Sequence, residues 1–191
     1  QACGSVVDTV SQALGNTLDA PGVPGVDSVL RHLVAFALAD SYAMLGHLND
    51  AEALQLRLVD DQRREFGADD PRPLYAMVGL GRTLVMQSKL TDARAVLEPA
   101  AHGLAAKLGA NHRLTLTARD QLAEIEFRER NYAGAAQAWQ QVHQGFVALM
   151  GEGSSYTVTV QTNLAMALHY GGKPDAAEPL CPTSTFPPSA Q

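Results

Sequence analysis

Six histidines, His32, His47, His102, His112, His143 and His169, are the side chains in this 191-residue chain best suited to metal ligation or proton transfer. None stands four positions from another or from a cysteine, so the helical pair that would grip a zinc ion is absent. Glu124, Glu126 and Glu129 form the densest carboxylate cluster, yet their spacing decorates a solvated helix face. Without a pocket to shift a pKa, such a cluster is not a general acid/base pair. The stretch MGEGSS at 150–155 has glycines and serines but lacks the lysine of a phosphate-cradling loop, and reads as a capping turn. No catalytic residue, metal site or cofactor is expected, and the chain does not read as an enzyme. Arginine supplies most of the basic residues, and Arg82 and Arg128 carry the planar fork that accepts a carboxylate in bidentate fashion. Acidic neighbours such as Asp120 and Glu124 offer the same fork an internal partner instead.

These residues lie on elements that repeat. Gly25, Gly67, Gly109 and Gly151 are each 42 residues apart. A leucine follows each glycine at a fixed distance, as Leu38, Leu80, Leu122 and Leu164, and the next residue is always small: Ala39, Gly81, Ala123 and Ala165. A second small column follows at Ala51, Ala93, Ala135 and Ala177. A large apolar residue beside a small one, with another small one some turns later, suits two antiparallel helices in close contact. Asp70 and Pro71 supply a cap and a first-turn proline. A turn near Ser88 and Lys89 and a cap at Thr91 then open a second helix that Gly109 ends, in a left-handed cap.

The spacing predicts first helices over about 28–45, 70–87, 113–129 and 155–170, and second helices over about 49–66, 91–108 and 132–150. No segment alternates at period two over a strand's length, so the fold class is all-α: an α-α superhelix, or solenoid, of stacked antiparallel hairpins. Pro179 and Pro182 cut the fourth unit short, giving an array of about 3.5 repeats over residues 25–181. Residues 1–24 are expected to hold a capping helix over 5–18 and a linker, and residues 182–191 a disordered tail.

Composition agrees. The chain is 46% hydrophobic but only 6% aromatic, so alanine and leucine must make most helix contacts. A net charge of −6 without a basic run excludes a nucleic-acid or anionic-membrane surface. No apolar run approaches the ~18 residues of a membrane span, so no membrane insertion is expected.

The leucine and small-residue columns, the turn and the alanine at fixed offset resemble the tetratricopeptide repeat. The 42-residue period is similar to that of kinesin light chain and its bacterial relatives. FGADDP at 66–71 and LGANHR at 108–113 resemble the joints of those repeats, and TNLAMALHYGGKPDAAEPLC at 162–181 resembles one of their units. A weaker likeness, carried by TVSQALGNTLDAPG, is to repeat arrays at the C-terminal ends of bacterial serine/threonine kinases and winged-helix regulators.

The resemblance implies a protein-interaction module whose first helices line a concave groove for a peptide or helix of a partner. Carried onto this chain, it implies groove residues Phe36, Asp40, Tyr75, Arg82, Asp120, Gln121, Glu124, Arg128, Asn163 and Tyr170. Val78, Met44 and Met86 extend the apolar first half, and Asn163 matches the recurrent groove asparagine, whose amide holds a peptide backbone. Trp139 shares a second-helix column with Gln55 and Leu97 and reads as core.

It also implies a buried apolar role for Cys181. Stacked hairpins keep Cys3 too far from Cys181 for a disulfide. Cys3 in ACGS resembles a bacterial lipoprotein processing site, though the apolar segment that should precede it is absent. Three other readings therefore stand beside peptide capture. One is a regulatory or sensory segment of a larger bacterial protein. Another is a periplasmic lipoprotein adaptor. The third is a self-assembling scaffold or homodimer formed through an unpaired face of the fourth unit around Val158, Leu164 and Leu168. Cytoplasm and bacterial periplasm both remain open.

Overall fold

The computed structural model describes residues 28–180. The expected capping helix at 5–18, Gly25, both cysteines and the tail lie outside the described residues.

Seven long helices follow in order: α1 (Ser28–Met44), α2 (Leu48–Phe66), α3 (Pro71–Met86), α4 (Leu90–Leu108), α5 (Arg113–Arg128), α6 (Tyr132–Met150) and α7 (Ser155–Tyr170). A one-turn α8 (Pro174–Ala177) and a 3-10 turn (Glu178–Leu180) take the place of a fourth second helix, with Pro179 inside the turn. No strand occurs among the described residues. Each helix packs on its neighbours in sequence, and α3 also touches the first helices on either side of it, α1 and α5, directly along one side. That side is the inner face of the solenoid.

The caps explain the boundaries. The Asp70 carboxylate accepts from the Arg72 N–H at 2.9 Å, with Pro71 at the first helical position. His112 Nδ1 does the same for the Leu114 N–H at 3.2 Å. Thr91, expected as a cap, lies inside the first turn of α4, whose N-cap is Lys89 with no side-chain bond. Pro99 sits within α4 without ending it.

Gly67, Gly109 and Gly151 end α2, α4 and α6 with φ of 88°, 96° and 82°. Their ψ values of 155°, 160° and 168° are extended, so these are not the left-handed caps expected; they occupy a region open essentially to glycine alone. Each N–H still reaches the carbonyl four residues back, at 2.9–3.0 Å. A Cβ at any of the three would meet nothing within 4 Å, so backbone conformation alone selects glycine here. Buried Thr115 and Thr157 then lock two joints by donating to the Gly109 and Gly151 carbonyls at 2.9 and 2.8 Å.

The repeated columns form the core. Leu38, Leu80 and Leu164 are buried, Leu122 is half-buried, and Ala51, Ala93 and Ala135 are fully enclosed. A Cβ on Gly81 would lie 2.4 Å from Leu97, so the small column is what lets α3 and α4 approach. Trp139 is completely buried, as its column implies.

Candidate functional site

The inner face carries the residues at which the units differ, and its two halves differ in character. In the first, Phe36 on α1 stacks on Tyr75 on α3, with centroids 5.2 Å apart and planes 19° from parallel. Both rings are half-buried. Met44 and Met86, at the far ends of the same helices, are exposed. Val78 does not join them: it is 3% exposed and belongs to the core. The side chain at that position turns between the hairpins.

Between the first two units, Arg82 donates to the Asp40 carboxylate in a short ion pair. Burial raises the Asp40 carboxyl above its usual range, and the Arg82 charge and hydrogen bond only partly offset that. The Arg82 fork is thus engaged within the chain, by Asp40 rather than by the acidic neighbours named from sequence. Arg128 behaves alike. It donates to Glu124 at 2.6 Å along α5 and reaches the Val85 carbonyl of α3 at 3.4 Å.

In the second half, Asp120, Gln121 and Asn163 come together. Asp120 accepts from the Trp139 indole N–H at 2.8 Å and from Gln121 Nε2 at 3.2 Å, and the Asn163 side chain also hydrogen-bonds it. Burial raises the Asp120 carboxyl; the three donors oppose the rise, and neighbouring Glu124 adds to it. An amide has two N–H donors and a carbonyl, so Gln121 keeps capacity beyond the one bond it makes. Tyr170, 60% exposed, stacks on Tyr132 at 5.7 Å and meets Phe127 edge-on at 5.8 Å.

Two expectations need correction. Glu126 and Glu129 are not mere decoration: Arg94 of α4 donates to both, at 2.9 and 2.6 Å, tying the second unit to the third. The end face is also more closed than expected, since Leu164 is buried, Leu168 half-buried and only Val158 well exposed. Beside it, a groove of about 680 Å³ runs between α6 and α7, with Tyr132, Gln140, Leu164, Leu168 and Leu180 among its walls.

Sequence reasoning missed a second cluster. His32, Gln62, Phe66 and Arg72 gather around the Phe36–Tyr75 stack and line an open-mouthed pocket of about 200 Å³. Phe66 belongs to the apolar column that precedes Gly67, Gly109 and Gly151, with Leu108 and Met150, but His32, Gln62 and Arg72 were singled out by no column. Among the described residues no group of three metal-ligating side chains converges, and no helix is long and apolar enough to cross a membrane.

A sequence profile of the tetratricopeptide repeat matches residues 37–72. No curated protein matches the sequence. Among solved structures, the nearly identical TPR-like repeats of a putative kinesin light chain from Podosopora anserina superpose with a TM-score of 0.71 at 21% identity. That match covers 78% of this chain and 71% of the other. BtubC (BKLC) from P. vanneervenii superposes with a TM-score of 0.67 at 18% identity, covering 98% of this chain and 75% of that one. At such identities the likeness speaks for the fold. With a repeat match over residues 37–72 and this architecture along its described length, the chain forms an all-α solenoid similar in fold to kinesin-light-chain TPR-like repeats.

Proposed function

We propose that the chain captures a peptide or helix of a partner protein along its inner face, as the interaction segment of a larger bacterial regulatory or sensory system. The fold itself implies a protein-interaction module. The finer reading is carried by one observation: Gln121 on α5 and Asn163 on α7 both hydrogen-bond the half-buried Asp120, which brings amides of two successive units together. Two amides held in fixed orientation offer a peptide backbone both donors and acceptors at little entropic cost. The intramolecular pairing of Arg82 and Arg128 makes them rim and support rather than primary anchors. No reaction is proposed, and the net charge of −6 disfavours nucleic acid as the partner.

The test is to select binding peptides from a displayed random library and measure their affinity by fluorescence anisotropy. The Gln121→Ala/Asn163→Ala double variant should bind at least ~10-fold more weakly at unchanged helicity. Unchanged affinity would place the site elsewhere.

The α6–α7 end groove favours a second reading, self-association through the shortened fourth unit. Light scattering should then show a mass that rises with concentration and returns to monomer in Val158→Glu. A monomer at all concentrations would sink it.

A further inference from the structure

The pocket between α1, α2 and α3 has a chemistry that peptide capture does not use. Its walls are the Phe36–Tyr75 stack and the ring of Phe66, which meets His32 edge-on at 5.7 Å. The Arg72 guanidinium lies 3.4 Å from the Phe66 centroid, but Asp70 holds it in a bidentate grip at 2.8 and 2.9 Å, so its charge is already matched. Two polar atoms of the lining, Gln62 Oε1 and His32 Nδ1, are buried with no hydrogen-bond partner among the described residues. Gln62 is only 8% exposed. His32 Nε2 lies 3.9 Å from Glu65, too far for a hydrogen bond to set the tautomer, so Gln62 Oε1 is the lining atom whose chemistry makes it an acceptor. The cavity therefore presents aromatic walls and a buried amide carbonyl in want of a donor, a situation that buried polar groups rarely tolerate.

Volume narrows the occupant. A cavity of about 150 Å³ accommodates benzene, so about 200 Å³ suits one substituted six-membered ring. A carboxylate or phosphate would face the Gln62 carbonyl and Glu65 with Arg72 already committed, and a bare hydrocarbon would leave Gln62 Oε1 unpaired. Residues 1–27 and 181–191 contain neither tyrosine nor tryptophan, so those segments cannot supply an aromatic donor.

We propose that this pocket binds a small, uncharged, single-ring phenol. The ring packs against Phe36, Tyr75 and Phe66, and its hydroxyl donates to Gln62 Oε1. This site shares Phe36 and Tyr75 with the first half of the inner face but uses neither Gln121 nor Asn163, so the two proposals are tested by different variants.

The experiment titrates the full chain with p-cresol and with toluene, its counterpart without the hydroxyl, by calorimetry and NMR. p-Cresol should bind saturably, shift the resonances of Phe36, Gln62 and Tyr75, and bind about fivefold or more tighter than toluene, the worth of one net hydrogen bond. Gln62→Leu should erase most of that preference at unchanged helicity. The comparison of the two ligands on the unaltered protein needs no variant to fold. Equal binding of p-cresol and toluene, no saturation in the millimolar range, or shifts confined to the α6–α7 groove would each overturn the proposal.

Discussion

At the scale of single residues, the units differ most where polar groups enter the core. Gln55, Leu97 and Trp139 occupy one position of three successive units, and all are buried to 1% or less. Trp139 finds Asp120 for its N–H, whereas neither amide atom of Gln55 has a partner among the described residues. An unpaired buried amide costs about 1–3 kcal/mol, and leucine already serves at this position in the next unit. Gln55→Leu should therefore stabilise the fold by about 1–2 kcal/mol, read as a higher urea midpoint at constant m. A lower midpoint would mean that water satisfies the amide.

Asp120 poses the opposite problem, a carboxylate held in place at some cost. Its folded pKa lies above the ordinary 3.8, so its contribution to stability is full below that value and is lost as pH rises through the folded pKa. Asp120→Asn should remove this loss, and stability should fall less between pH 4 and neutrality than in the unaltered chain. Denaturation midpoints across that range check it; parallel profiles would refute it.

At the scale of elements, each hairpin depends on two turns of positive φ, of which one announces itself in the sequence. Gly67, Gly109 and Gly151 are visible as a column because extended ψ at positive φ admits nothing else. The tighter turn inside each unit is Gly46, Ser88, Arg130 and Gly172, with φ of 84°, 62°, 64° and 77°. These too lie 42 residues apart, but the left-handed well tolerates a side chain at a cost, so the column hides behind two non-glycine residues. Ser88→Gly and Arg130→Gly should each stabilise by roughly 0.5–1 kcal/mol, while Gly46→Ala should do the reverse. Thermal unfolding of the three variants decides the sign.

Across the whole molecule, stability in a solenoid is a sum over neighbouring units, so the contacts between units govern cooperativity. One apolar cluster runs from Ala35 to Ile125 and a second from Leu116 to Ala167. Where they meet, Arg94 ties Glu126 and Glu129 of the third unit to α4, and Arg128 reaches back to Val85. Arg94→Ala should cost about 1 kcal/mol, less in high salt, and broaden the unfolding transition as the halves uncouple. Hydrogen exchange should then separate α1–α4 from α5–α7. A transition as sharp as before would show that the apolar contacts alone couple the halves.

Helix existence, order and boundaries were legible in the sequence because they follow from rules that repeat: a glycine where only glycine fits, a cap before a first turn, small residues where backbones meet. The core columns were legible for the same reason. Which groove residues cooperate was not. Asp120 reaches Trp139 across a hairpin and Asn163 across a joint, Arg82 chooses Asp40, and Val78 turns inward, each decided by packing between units. The pocket around His32, Gln62, Phe66 and Arg72 draws on three helices at positions that share no repeat register. A periodic sequence specifies its architecture through what its units hold in common. Its chemistry lies in what they do not share, and only the stacking of one unit on the next brings those residues together.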